Sequence, residues 1–222
     1  MKLGASAVQY KVKLDQAITC YQKALQIDPN YAGAHNSLGA PLFAQGKLDQ
    51  AITFFQKVLQ IDLNYTKLPK IELFGIKLPI GLAFEQIIPS KTTSFYADVH
   101  TNLGLALSAQ GKPDQAIASY RKALQIDPNH ANAHNNLGNA LSAQGKLEDA
   151  IASYRKALQI DPNFAGAHCA LGFALSNQGK LDEAIAELEI AVHLEPTNAL
   201  FRKNLEIIRN NKKGFWGRLF GG

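Results

Sequence analysis

One phrase occurs four times along this chain at a constant interval and leaves little room for any other organisation. In residues 131–164 it reads ANAHNNLGNALSAQGKLEDAIASYRKALQIDPNF, and similar copies of equal length occupy 32–65, 97–130 and 165–198. A period of this length is typical of solenoid proteins, in which each repeat packs only on its neighbours. The sequence therefore predicts a stack of short structural units in place of one globular core.

Each copy is predicted to contain two amphipathic helices separated by a turn. In residues 131–164, apolar residues return every three or four positions before the turn and again after it, which is the helical period. Gly145 is expected to end the first helix in a left-handed conformation. Asp161-Pro162 is expected to end the second, because proline disfavours helical geometry in the residue before it.

Short motifs that the copies share identify a family. They resemble those of the tetratricopeptide repeat, and in the fourth copy they are Leu137-Gly138, Gln144-Gly145-Lys146, Ala150-Ile151 and Asp161-Pro162-Asn163. The resemblance implies an all-α fold, a right-handed α-solenoid of helix-turn-helix repeats, and a protein-protein interaction scaffold that is not an enzyme. The repeats are also similar to those of O-linked N-acetylglucosamine transferase. That similarity covers only the repeat array and carries none of the enzyme's activity.

The repeats divide the chain into segments of different character. These are a partial N-terminal repeat in 1–31, repeats in 32–65, 97–130, 131–164 and 165–198, an apolar segment in 66–96, a C-terminal capping helix in 199–213 and a basic aromatic tail in 214–222. Three prolines in 66–96 argue against long helices there. This segment has two interpretations, an insertion that leaves the stack or a decayed repeat.

The family resemblance places the first helix of each repeat along a concave groove. The side of these helices that packing leaves free is rich in asparagine, which both donates and accepts hydrogen bonds and so suits the backbone of an extended peptide. The predicted groove residues are Asn36, Ser37, Phe43, Thr101, Asn102, Leu105, Asn132, Asn135, Asn136, Asn139, Phe173 and Asn177. The alternative is a solvated face on which asparagine is merely tolerated.

Charge within the groove excludes one kind of ligand. Relatives that hold the acidic C-terminal tails of chaperones do so with Lys and Arg on their first helices. The four complete first helices of this chain contain neither residue. Capture of an acidic tail by such a clamp is therefore not predicted.

Four histidines occupy the same place in successive repeats and raise the question of a metal: His35, His100, His134 and His168. Neighbouring helices lie about 10 Å apart, whereas the ligands of one zinc ion lie about 2 Å from it. These histidines cannot share one ion, and a structural role is predicted for them. No catalytic set converges once the repeat geometry is respected, so neither a metal nor a cofactor is predicted.

The net charge of +5 belongs to the C-terminus. Residues 199–222 hold six Lys or Arg against Glu206 alone, and the rest of the chain is balanced. Residues that could contact an anionic membrane surface or another protein are Lys212, Lys213, Phe215, Trp216, Arg218 and Phe220. Nucleic acid is not predicted as a partner, because the repeats offer no basic groove.

Two further expectations concern location and assembly. Cys20 and Cys169 lie far apart in a linear array, which argues against a disulfide and favours the reducing cytoplasm. The protein is therefore predicted to be cytoplasmic, either free in the cytoplasm or at the periphery of a membrane. No apolar run reaches the ~18 residues of a membrane span. The N-terminal end has little of the polar outer face that a terminal repeat normally carries. Self-association through that end, or through 66–96, is therefore a third interpretation beside the scaffold and the membrane-peripheral assembly factor.

Overall fold

The computed structural model describes residues 2–66, 71–73, 76–78 and 90–220. Helices make up nearly all of this part of the chain: α1 (Lys2–Ile27), α2 (Ala32–Ala44), α3 (Leu48–Thr66), α4 (Ser90–Ala109), α5 (Pro113–Ile126), α6 (Ala131–Ala143), α7 (Leu147–Ile160), α8 (Ala165–Asn177), α9 (Leu181–Leu194) and α10 (Ala199–Phe220). Two compact units divide the chain. Unit 1 is Met1–Asp127, and unit 2 is Pro128–Gly222.

Each predicted repeat folds as a pair of adjacent helices. In unit 1 the pairs are α2 with α3 and α4 with α5, and in unit 2 they are α6 with α7 and α8 with α9. The second helix of one pair also packs on the first helix of the next, as α7 does on α8. This arrangement confirms the α-solenoid class that the repeats predict.

The turn between the two helices of each pair depends on a glycine with positive φ. The φ angle of Gly145 is 75°, in the left-handed region, and Gly46, Gly111 and Gly179 are alike. The Gly145 amide donates to the Ser142 carbonyl at 2.9 Å, and the next amide, of Lys146, reaches back to Leu141 at 3.0 Å. These two bonds satisfy carbonyls that the end of a helix leaves unpaired, and the predicted cap is confirmed.

Both terminal helices are longer than the sequence predicts. The partial repeat in 1–31 predicts an imperfect first helix that ends before Lys13, and the capping helix is predicted to end at residue 213, yet α1 and α10 run through both places. The reason lies in the turn position. Val12 stands one repeat length before the turn glycine Gly46, and Lys213 stands one repeat length after Gly179. A side chain at this position makes the left-handed conformation costly, so the helix continues.

Another glycine sets the distance between paired helices. A Cβ atom on Gly138 of α6 would lie 2.5 Å from the ring of Tyr154 on α7. Tyr154 is 2% exposed, and burial raises the pKa of its hydroxyl to about 12. In the last repeat Leu188 replaces the tyrosine, and the Cβ of Gly172 would meet the Ala184 carbonyl oxygen at 2.9 Å. The Leu-Gly pair is therefore a packing motif.

The segment 66–96 contributes an antiparallel hairpin, of β1 (Ile71–Leu73) and β2 (Ile76–Leu78). The helices on its two sides, α3 and α4, pack directly on each other. The Gln110 amide donates to the carboxylate of Asp49 across 61 positions of sequence. Gln45 makes the same bond to Asp15 at 2.8 Å across 30 positions. The repeats on either side of the segment are thus stacked as ordinary neighbours are.

The turn glycine gives a direct test of this fold. Gly145→Ala should lower the free energy of unfolding by about 1 kcal/mol, because the left-handed conformation costs a residue with a side chain roughly that much. Among the described residues nothing lies within 4 Å of the added Cβ, so the loss would come from the backbone alone. Chemical denaturation followed by circular dichroism measures it.

Gly145→Asn is the matched control, since asparagine tolerates positive φ better than alanine does. It should cost less than the alanine variant although its side chain is larger. A larger loss for asparagine would show that steric crowding, rather than φ, governs this turn.

Candidate peptide-binding groove

In unit 2, the side of α6 that does not face its neighbours carries four of the predicted asparagines. Asn132 and Asn139 are exposed, and Asn135 and Asn136 are half-buried. The Tyr154 hydroxyl donates to Oδ1 of Asn139 at 2.9 Å, which fixes that side chain on the surface. Oδ1 of Asn135 is buried and has no hydrogen-bond partner among the described residues. A buried acceptor without a donor costs free energy, so this amide would gain from a donor that a ligand supplied.

Two exposed apolar side chains continue this surface on the next helices. Phe173 on α8 is 54% exposed, and Ile207 on α10 is 46% exposed. Asn139, Phe173 and Ile207 occupy the same repeat position, each one repeat length after the last. Ile207 was not among the predicted residues, because 199–213 was interpreted only as a cap. Its place one repeat length after Phe173 was the available signal.

We call this surface the unit 2 face. It consists of residues on α6, α8 and α10 that packing leaves wholly or partly open: Asn132, Asn135, Asn136, Asn139, Phe173, Asn177 and Ile207. Beneath it, Cys169 is buried and accepts a hydrogen bond from the Asn204 amide at 3.4 Å. Burial raises the pKa of the Cys169 thiol, although the Asn204 bond opposes the shift. The face therefore combines neutral amides and apolar groups, without a reactive thiol.

Unit 1 contains a cleft of about 470 Å³ between α1, α2 and α4. Three predicted residues, Asn36, Ser37 and Asn102, meet there. Their neighbours in the cleft are Leu14, Ala17 and Tyr21 of α1 with Ala40, Pro41 and Ala44 of α2. Leu14, Ala17 and Tyr21 were not predicted to form a site, because the groove was assigned only from the first helices of the complete repeats.

Three other predicted groove residues are less available in unit 1. Thr101 is 4% exposed, and its hydroxyl donates to the Ala97 carbonyl at 2.8 Å. Its assignment to an open face is wrong, because in α4 the Thr101 side chain is buried and bonded to its own helix. Phe43 and Leu105 are half-buried.

Three of the four repeated histidines link their repeat to the turn before it. Nε2 of His35 lies 2.8 Å from the Pro29 carbonyl, and His134 and His168 make the same contact at 3.0 Å with Pro128 and Pro162. A carbonyl oxygen only accepts, so each Nε2–H must donate. Nδ1 of His168 also meets the Glu187 carboxylate at 2.6 Å. Within the described residues, no His, Cys, Asp and Glu cluster has the three members that a metal ion would require.

At the C-terminus, Lys212 is already paired inside unit 2. Its ammonium group contacts the Asp182 carboxylate, 30 residues earlier, at the place where Gln178 donates to Glu148 at 3.2 Å. Lys212 therefore links α10 to the preceding second helix, as Gln178 links its own helix to the second helix before it. The side chains of Lys213, Phe215, Trp216, Arg218 and Phe220 lie outside the described residues, and contact with a membrane or partner through them stays a prediction. Across the described helices, none combines the length and apolar character that spanning a bilayer demands.

Comparison with known families agrees with this architecture. A TPR repeat model matches residues 13–40, 104–145 and 138–179, and a tetratricopeptide repeat model matches 32–65 and 165–198. Together they cover more than half of the chain. The chain belongs to the tetratricopeptide repeat family. The search of curated proteins gave no match.

Several solved structures share the fold. A crystal structure of MamA is 26% identical with a TM-score of 0.61, covering 86% of this chain and 94% of its own. The first TPR of Spaghetti (RPAP3), bound to HSP90 peptide SRMEEVD, is 28% identical with a TM-score of 0.53, covering 54% of this chain and 95% of its own. YrrB, described as a TPR protein with an unusual peptide-binding site, is 20% identical with a TM-score of 0.57, covering 90% and 87%. Family and neighbours together support a protein-interaction scaffold.

The two cysteines should differ sharply in reactivity. In the native protein, Cys20 on α1 is exposed and Cys169 is buried with a raised pKa, and the thiolate is the form that alkylates. Iodoacetamide should therefore modify Cys20 at least about tenfold faster. Mass spectrometry of tryptic peptides over time would measure both rates. In denaturant the two rates should converge, whereas equal rates in the native protein would contradict the placement of Cys169 beneath the unit 2 face.

Proposed function

We propose that this protein is a non-catalytic scaffold that binds an extended, largely uncharged peptide segment of a partner protein on the unit 2 face. The observation that carries the proposal is the row formed by Asn139, Phe173 and Ile207. These residues stay open on three successive first helices after the repeats have packed. Location in the cytoplasm stays a prediction beside it.

Apolar exposure on the unit 2 face supports binding rather than solvation. Phe173 and Ile207 leave about half of their surface open in the free protein, so a ligand side chain that covered them would gain from removing that surface from water. The neighbouring asparagines supply donors and acceptors for a peptide backbone. A groove of this kind fixes the ligand by amide pairing and gains affinity from the two apolar contacts.

The comparisons support a peptide ligand, and the sequence limits its charge. The RPAP3 repeat that resembles this chain was solved with the acidic peptide SRMEEVD. In this chain α6 and α8 contain no Lys or Arg, so these two helices offer no cation that would pair with such a peptide, while α10 carries the exposed Lys203 one turn before Ile207. A peptide that is neutral and apolar where it meets α6 and α8 fits the face better.

The similarity to O-linked N-acetylglucosamine transferase bears on how the amides would be used. Asparagines in the groove of its repeats resemble Asn102 and Asn136 in this chain, whereas Ser37 and Ala170 depart from that pattern. We propose the same use of asparagine here, as partners for a peptide backbone, over a shorter row. Asn136 is the member of this pair that lies on the unit 2 face.

The test begins with a phage-displayed library of random peptides selected on the intact protein. A labelled version of a selected peptide is then titrated by fluorescence anisotropy. Phe173→Ala should weaken its binding about tenfold or more, because a large apolar contact is lost. Asn135→Ala should weaken it about fivefold, the worth of one hydrogen bond. In the free protein this change removes an acceptor that no described residue uses.

Ile190→Ala is the matched control. Ile190 is 41% exposed but lies on α9, a second helix, away from the unit 2 face. Its removal should leave the affinity unchanged. A library that yields no binder, or a peptide whose affinity falls equally with Ile190→Ala, would contradict the proposed site.

A further inference from the structure

In the part of the chain that the structure describes, no helix covers one face of α1 in the way that its counterparts are covered in the complete repeats. We call it the α1 face; it consists of Ala17, Ile18, Tyr21 and Ala24, all of them half-exposed. Tyr21 occupies the position of Phe55 and Tyr120, which are 1% and 2% exposed. Ala17 occupies the position of Ala51 and Ala116, which are wholly buried. The apolar residues that hold helix pairs together elsewhere thus lie partly open to solvent here.

The structure shows what covers this face in the other repeats. A ring at the Tyr21 position packs on the glycine of the preceding first helix, as Tyr120 does on Gly104 and Phe55 on Gly39. The fitting occupant is therefore a helix of the same kind, antiparallel to α1, with small residues where it meets the ring. The cleft beside Tyr21 and Ala17 lies where such a helix would pack.

Residues 2–11 are a candidate for that helix, but they cannot pack on the α1 face of their own chain. Residues 2–11 carry the small and apolar sequence Leu3, Gly4, Ala5, Ala7 and Val8 in the part of the repeat that normally forms the first helix. In this structure α1 continues straight through Val12, so residues 2–11 extend the same helix. A segment collinear with the α1 face cannot fold over it.

A second copy removes this obstacle. We propose that two copies of this chain associate through α1, with the helices antiparallel and residues 2–11 of each copy covering the α1 face of the other. At about 1.5 Å per residue, α1 is roughly 39 Å long, and Val12 lies near its middle. An antiparallel pair centred near Val12 lets both copies make the same contact, as two-fold symmetry requires. The exchange is possible because the turn that separates the two helices of a complete repeat is replaced at Val12 by continuous helix.

This association goes beyond the proposed peptide-binding function and is independent of it. The α1 face belongs to unit 1, whereas the proposed peptide site belongs to unit 2. Failure of either proposal would leave the other standing.

The test measures the mass of the intact chain by sedimentation equilibrium across the micromolar range. The wild type should be a dimer. Tyr21→Glu should weaken the dimer about a hundredfold or more, because it places a charge in an apolar interface. Gln22→Glu, on an exposed neighbour of Tyr21, should leave the dimer unchanged.

A second pair of variants tests the exchange itself. Lys11→Gln with Val12→Gly recreates the Gln-Gly-Lys turn of the complete repeats, and Ala5→Gly restores the glycine one repeat length before Gly39 on which the ring of the second helix packs. With all three changes, residues 2–11 can fold back on their own α1 face, so this variant should be a monomer with the α1 face unaltered. Ala5→Gly with Lys11→Gln and Val12→Ala keeps a good helix former at the hinge and should remain a dimer.

Circular dichroism must first show that all variants keep their helix content. A monomeric wild type would overturn the proposal. A dimer that persists when the turn is restored would overturn the exchange of helices, whatever Tyr21→Glu does. A monomer from the glycine variant beside a dimer from the alanine variant would establish it.

Discussion

Contact between a glycine on the first helix and an aromatic ring on the second sets the geometry of the repeats. At Gly138 and Tyr154 the absence of a Cβ lets the ring lie almost against the backbone, and the tyrosine hydroxyl in turn donates a hydrogen bond to Asn139. The same contact that holds the pair together thus positions a residue of the outer surface. Where Leu188 replaces the ring, a Cβ on Gly172 would meet both the Ala184 carbonyl oxygen and the Leu188 side chain, so a glycine is needed there as well. Close packing of this kind is felt at the level of a single methyl group.

Links between successive repeats are polar and local. A histidine near the start of a first helix donates to the proline carbonyl of the turn before it, and a glutamine at the end of that helix donates to an acid on the previous second helix. Each link joins only neighbours, as expected for a solenoid. The polar residues that recur most regularly therefore form hydrogen bonds between neighbouring repeats. Residues whose type varies between repeats, such as Asn139 and Phe173, remain to distinguish one surface from another.

Much of this architecture could be predicted from the sequence because four copies agree at the positions that packing requires. Helix pairs, turn glycines and the role of Leu-Gly follow directly. The structure differs from the prediction where one copy lacks a key residue or where a side chain lies at the edge of a face. Val12 in the glycine position was a visible signal for a continuous α1, but the preceding Leu3-Gly4 suggested a separate helix. Thr101 was misplaced because helical periodicity does not fix how far α4 rotates on its neighbours.

The junction between α3 and α4 has an evolutionary consequence. Because these helices stack directly, the chain between them has only to join the end of one to the start of the other. The entropy of closing such a connection grows slowly, by about 0.6 kcal/mol for each doubling of its length. Selection on the stack therefore constrains the two ends of this connection far more than its content. This site could acquire new sequence, or a whole appended domain, while the repeats on either side keep their contacts.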